Sequence, residues 1–66
     1  MEITLNDRIK VIDTVTILAL LEKELSDKMN GIAVAVNNTV IPRAGWDTYE
    51  IKNNDNILII KATQGG

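Results

Sequence analysis

The chain contains no cysteine and no histidine. Disulfides are therefore impossible, and thiolate or zinc chemistry is effectively excluded. Any reactive group must be something else. Aromatic residues are nearly missing too: Trp46 and Tyr49 are the whole set. Ile, Val and Leu must then do most of the packing in a chain that is 45% hydrophobic. No apolar run approaches the roughly 20 residues needed to span a bilayer. Glu2 interrupts any signal-like start. A soluble, cytoplasmic protein with no membrane contact is expected. A basic cluster is also lacking. The 7 Lys and Arg residues are scattered and the formal net charge is −2, which argues against nucleic acid. A mildly acidic surface suits a protein partner with a basic rim.

With 66 residues, the chain holds one domain. A domain near this size buries only roughly 60% of its unfolded-chain surface. A deep catalytic cleft with its own walls is not expected. Neither a metal-ligand set nor a carboxylate pair for acid–base work stands out.

What is present is a run of short, well-punctuated elements. Met1 to Leu5 alternates with the period of a half-buried strand. Asn6-Asp7-Arg8 is a turn signal, and Lys10 to Asp13 returns as a second strand. Thr14, or alternatively Asp13, is placed to cap a helix. That helix is predicted over Val15 to Lys28, where Leu, Ala, Glu and Lys dominate. Leu18, Leu21, Leu25 and Met29 form its apolar stripe. Glu22, Lys23, Glu24, Asp27 and Lys28 read as its solvated side. Asn30-Gly31 supplies a left-handed stop.

Ile32 to Val36 is a continuous apolar run of strand length. Asn37-Asn38 tolerates positive φ and fits a tight hairpin turn. Thr39 to Ile41 returns, and Pro42 ends the strand at an edge. A short turn of helix is expected near Ala44 to Asp47. Asn53 to Asn56 is a turn cluster, with Asp13 and Asp55 read as turn or cap residues. Ile57 to Thr63 is the last strand. The order is hairpin, helix, hairpin, loop, strand. This is an α+β layout, a mixed sheet of four or five strands packed on one main helix. If the last strand lies between the hairpins, the fold is a ubiquitin-like β-grasp. Residues 1–63 form the domain, and 64–66 form a flexible tail.

The tail ends in Gly65-Gly66. Glycine averages about 7% of residues, so a closing pair arises by chance in roughly 0.5% of chains. Its setting adds weight, because it follows a strong strand with no linker between. Lacking Cβ, both residues can thread a narrow channel that a side chain would block. From Thr63 to Gly66 the chain reaches roughly 13–14 Å when extended. That length puts a terminal carboxylate into a partner's active site while the body docks outside. The plain alternative is a frayed tail without a role.

The stretch from Ile32 to Trp46, with Asn37-Asn38, Pro42-Arg43 and Trp46, resembles the sulfur carrier family of thiazole (thiamine) biosynthesis. So do Asn53 to Ala62 and the closing Gly65-Gly66. The N-terminal half matches in pattern only. The resemblance implies a ubiquitin-like β-grasp acting as a protein cosubstrate and not as an enzyme. It binds no cofactor. A ubiquitin-activating-type adenylyltransferase uses ATP to adenylate the Gly66 carboxylate. Sulfur from a cysteine desulfurase pathway then replaces the adenylate and leaves a thiocarboxylate. Thiazole synthase takes up that sulfur. Many members carry a small residue before the diglycine, where this chain has Gln64, so the reading of that position by partners is left open. The small subunit of molybdopterin synthase is the alternative within carrier chemistry. A conjugated ubiquitin-like modifier and a plain interaction module are the others.

Alternation along the last strand sends Ile57 and Ile59 to one face and Leu58, Ile60 and Ala62 to the other. One helix covers one face. Leu58, Ile60 and Ala62 are therefore the expected docking face, joined by Ala33 and Ala35. The alternative is that the loop from Arg43 to Asn56 folds over them. Trp46 reads as a lid on the core edge whose indole N–H needs a partner or solvent. Arg43 has two readings, contact with an acidic partner or a local, solvated role.

Overall fold

Two asparagine-rich turns set the frame of the sheet. In a computed structural model, which describes residues 1–25 and 31–61, strand β1 (Glu2–Leu5) folds back on β2 (Arg8–Val11). Asn6 and Asp7 make the turn with φ of 50° and 66°. Both central residues of a two-residue hairpin must take positive φ to match strand twist, and Asn and Asp do so at low cost. The pairing runs from Leu5 opposite Arg8 to Glu2 opposite Val11. The second strand therefore starts and ends earlier than the Lys10 to Asp13 span predicted from pattern. The tighter turn is the reason. Strands β3 (Ile32–Val36) and β4 (Thr39–Ile41) repeat the device, with Asn37 and Asn38 at φ of 51° and 70°.

Strand β5 (Asn56–Lys61) inserts between the hairpins, giving the order β2-β1-β5-β3-β4. It runs parallel to β1 and antiparallel to β3. Among the described residues, one α-helix, α1 (Ile17–Leu25), crosses one face. The condition set for a β-grasp, the last strand lying between the two hairpins, is met.

The helix starts later than Val15. Val15 and Thr16 are instead held by the segment after Trp46. Thr16 bridges Glu50, Val15 C=O accepts the Ile51 N–H at 2.7 Å, and Ile17 N–H donates to Tyr49 C=O at 3.1 Å. The cap is Thr16, whose Oγ1 accepts the Ala19 N–H at 3.2 Å. It is neither Thr14, whose hydroxyl is buried without a partner, nor Asp13, which pairs with Lys23. The buried stripe is Ile17, Leu20 and Leu21, with Leu18 and Leu25 at its half-buried margins. The predicted stripe missed Leu20 because it was centred one position away. Met29, Asp27, Lys28 and the Asn30 cap lie outside the described residues, while Gly31 does take the left-handed conformation at φ 72°. Glu24 is not simply solvated: it meets Lys10 at 3.0 Å.

The core is the layer between helix and sheet. Ile3, Ile17, Leu20, Leu21, Val34, Val36 and Ile57 are almost completely enclosed. Each such aliphatic side chain contributes about 1.5–3 kcal/mol relative to exposure. Among the described residues, no helix is long and apolar enough to cross a membrane.

Candidate functional site

The alternation of β5 decides the layout of the functional end. Ile57 is fully buried under the helix, and Ile59 packs against the same core. Leu58 and Ile60 therefore point to the opposite face. In register beside them stand Ala35 and Ala33 of β3, and Val40 of β4 lies opposite Ala35. The back of the sheet thus carries Val40 (66% exposed), Ala35 (8%), half-buried Leu58, exposed Ala33 and Ile60 (53%). The structure brings four of the five residues expected for docking onto one surface. Ala35 is the least accessible, shut in between Leu58 and Val40. Ala62 lies outside the described residues, as do Gln64, Gly65 and Gly66.

The loop from Arg43 to Asn56 does not cover this face. It crosses to the helix side. A 3₁₀ turn (Arg43–Gly45) follows Pro42, and the chain then drops Trp46 into the core at 3% exposure. The indole N–H donates to Ile41 C=O at 2.9 Å, and the Trp46 C=O accepts the Leu18 N–H at 2.9 Å. Ile51 is also buried in the core. The expected short helix near Ala44 to Asp47 is this tighter turn, shifted by one residue. The result is a sheet with one face packed and the other uncovered by any described segment.

Strand β5 is anchored firmly at its start and more lightly at its end. Asp55, buried before the strand, accepts the Lys52 N–H at 2.8 Å through Oδ2 and the Asn37 side-chain amide at 3.1 Å through Oδ1. Asn37 Oδ1 in turn accepts the Asn56 N–H at 2.9 Å. This network ties the β3–β4 turn to the entry of β5, a role beyond the turn or cap read for Asp55. Pairing with β1 stops at Leu5 opposite Ile57. Past it, Asn6 Oδ1 substitutes for a backbone acceptor and takes the Ile59 N–H at 2.8 Å. From there to Lys61 only β3 flanks the strand. Sequence reasoning missed Asn6 and Asn37 as side-chain partners of β5. The signal was there only as a surplus of asparagine at turns.

Among the described residues, no group of three or more acidic side chains is gathered to hold a metal ion. Among the described residues, the Asp13 carboxyl is held below its ordinary value by the hydrogen bond and the charge of Lys23. It sits before the helix and takes no part in the back face.

Comparison with known proteins agrees with this geometry. The sequence model of the ThiS family matches residues 1–66. The sulfur carrier protein ThiS of Escherichia coli (strain K12) is 33% identical over 51 residues, covering 77% of this chain and 76% of that protein. The crystal structure of the thiamine biosynthesis protein ThiS from Geobacter metallireducens superposes over the full length of both chains with a TM-score of 0.86 at 22% identity. A solution structure of a thiamine biosynthesis protein from the same organism gives 0.79 at 22% identity, covering 100% of this chain and 88% of that one. The two structures bear on the fold. The full-length family match and the Escherichia coli relative carry the assignment: the chain belongs to the ThiS family, the small sulfur carriers of thiamine biosynthesis.

Proposed function

We propose that this protein carries sulfur on the carboxylate of Gly66, as a thiocarboxylate made at the expense of ATP and handed to thiazole synthase. One observation supports this reading above others. The strand that leads to Gly65-Gly66 is the central strand of the sheet, and its last described residues run beside an apolar face that no described segment covers. A partner can grip the sheet and receive the tail in one encounter.

The chemistry needs no side-chain catalyst from this chain. A carboxylate is a poor electrophile, because expelling oxide is unfavourable. Attack of the Gly66 carboxylate oxygen on the α-phosphorus of ATP expels pyrophosphate and leaves an acyl adenylate. The outer sulfur of a desulfurase-linked persulfide then attacks the acyl carbon and AMP departs, leaving an acyl disulfide. A second thiol attacks the donor's inner sulfur, forms a disulfide with the donor and releases the thiocarboxylate. The thiocarboxylate is a stabilised nucleophilic anion suited to attack within thiazole synthase. Glycine at 65 and 66 keeps the reacting carbon unhindered. ATP is bound by the adenylating partner, and the carrier is its protein cosubstrate. Leu58, Ile60, Ala62, Ala33 and Ala35 form the docking face, with Gln64 and Gly65 reaching into the partner's channel. Residues 1–63 act as the grip and 64–66 as the working end.

The test is intact-mass measurement after incubation with ATP, the adenylating enzyme and a sulfur donor. The expected product is heavier by one oxygen-to-sulfur exchange, located at Gly66. No mass change, with partners that load another ThiS-family protein, overturns the reading.

A further inference from the structure

Two described cations, Arg43 and Lys61, stand at the end of the sheet where β5 stops, although the chain as a whole is acidic. Along β3, Val34 has Ile41 on one side and Ile59 on the other. Two residues further towards the exit, Ile32 has Lys61 as its neighbour. On the other side, the chain past Ile41 passes through Pro42 to Arg43. Arg43 and Lys61 therefore flank the same end of the sheet. Lys61 shares the alternation of Ile57 and Ile59, which face the helix. Arg43 lies over the ring of Trp46, 5.6 Å from its centroid. Trp46 is itself on the helix side, buried and fixed through Ile41. Both cations thus stand on the side opposite Ile60 and Ala33.

Among the described residues, neither charge is taken up in an ion pair. The pairs that form there join Lys10 to Glu24 and Lys23 to Asp13. Arg43 and Lys61 are both exposed. Asp47 lines the same shallow hollow as Arg43, with Leu18, Ala44 and Trp46, yet no pair forms between the two. Stacking on a buried indole holds the guanidinium on a rigid platform, so little side-chain freedom remains to be lost on docking.

Building on the sulfur-carrier reading, we propose that Arg43 and Lys61 recognise carboxylates on the rim of the channel through which the adenylating partner admits the tail. The back face supplies apolar contact, which is undirected. Two cations on the opposite side of the exit fix register and orientation, and they reject a partner with a basic rim. Whole-chain charge points to a basic-rimmed partner; the local charge at the exit selects the reverse.

The experiment uses the full chain with both cations reversed, Arg43→Glu and Lys61→Glu, and a second variant, Arg43→Lys with Lys61→Arg. Affinity for the adenylating enzyme is measured without ATP, at low and high salt, and sulfur loading by intact mass is measured in parallel. Charge reversal is expected to weaken binding about tenfold at low salt, with the gap narrowing at high salt. The charge-conserving variant is expected to lose clearly less than charge reversal, about threefold, because lysine keeps the charge but not the stacking on Trp46. Thermal melts within a few degrees of wild type exclude misfolding, because both side chains are exposed. A folded charge-reversed variant that binds as tightly as wild type overturns the inference. So does equal weakening by the charge-conserving pair. A wild-type protein that binds with this charge dependence but never gains sulfur overturns the carrier reading and leaves the surface assignment standing.

Discussion

At the residue scale, charge acts locally here. Asp13 is fully exposed, yet Lys23 donates to it at 3.2 Å and holds its carboxyl below the ordinary value of 3.8. A lowered folded value means the pair favours the native state above that ordinary value. The benefit fades as pH falls through the lowered one. Exposure and salt screening keep the effect small. Replacing Lys23→Ala should raise the Asp13 midpoint towards 3.8, followed by the carboxyl chemical shift across an acid titration. An unmoved midpoint would mean that Lys23 is not the cause. Arg43 shares a hollow with Asp47 but forms no ion pair among the described residues; it lies over the Trp46 ring instead.

At the element scale, the helix start is the instructive case. Val15-Thr16-Ile17 is a β-branched run, poor in helix propensity, and the first two residues bond instead to the segment around Glu50 and Ile51. Thr16 then caps what remains. Thr16→Val keeps the shape and removes the cap, and it should cost about 1 kcal/mol, read from the shift in urea midpoint. A loss well below that would indicate that the bridge to Glu50, and not the hydroxyl, sets the boundary. The strands, both asparagine turns and the alternation along β5 were legible from the sequence, because each is governed by neighbours in the chain. The start of the helix and the end of β2 were not, because distant segments and turn geometry decide them. The same division holds at the site. The two faces of β5 could be read from its alternation, but that Arg43 and Lys61 flank one end of the sheet depends on strand order.

At the scale of the whole molecule, the sulfur-carrier reading assigns the body and the proposed working end at Gly66 different tasks. Appending one residue after Gly66 should abolish adenylation while leaving the melting temperature within about 1 °C. The expectation of unchanged stability rests on the described core, whose enclosed members all lie between Ile3 and Ile57. Pyrophosphate release and a thermal melt on the same preparation check both halves. A drop of several degrees would mean that the terminus is packed against the body.

The central placement of β5 has a mechanical side. An enzyme that draws on the tail pulls this strand along its own length. The bonds to β3, from Ile57 to Lys61, then resist in shear and share the load together, where an edge strand would peel away one bond at a time. The same placement means that residues up to Lys61 must be synthesised before the strand that pairs with both hairpins is complete. On the sulfur-carrier reading, the strand that leads to the proposed working end is thus also the one that ties the sheet together, and the last of the sheet to be made.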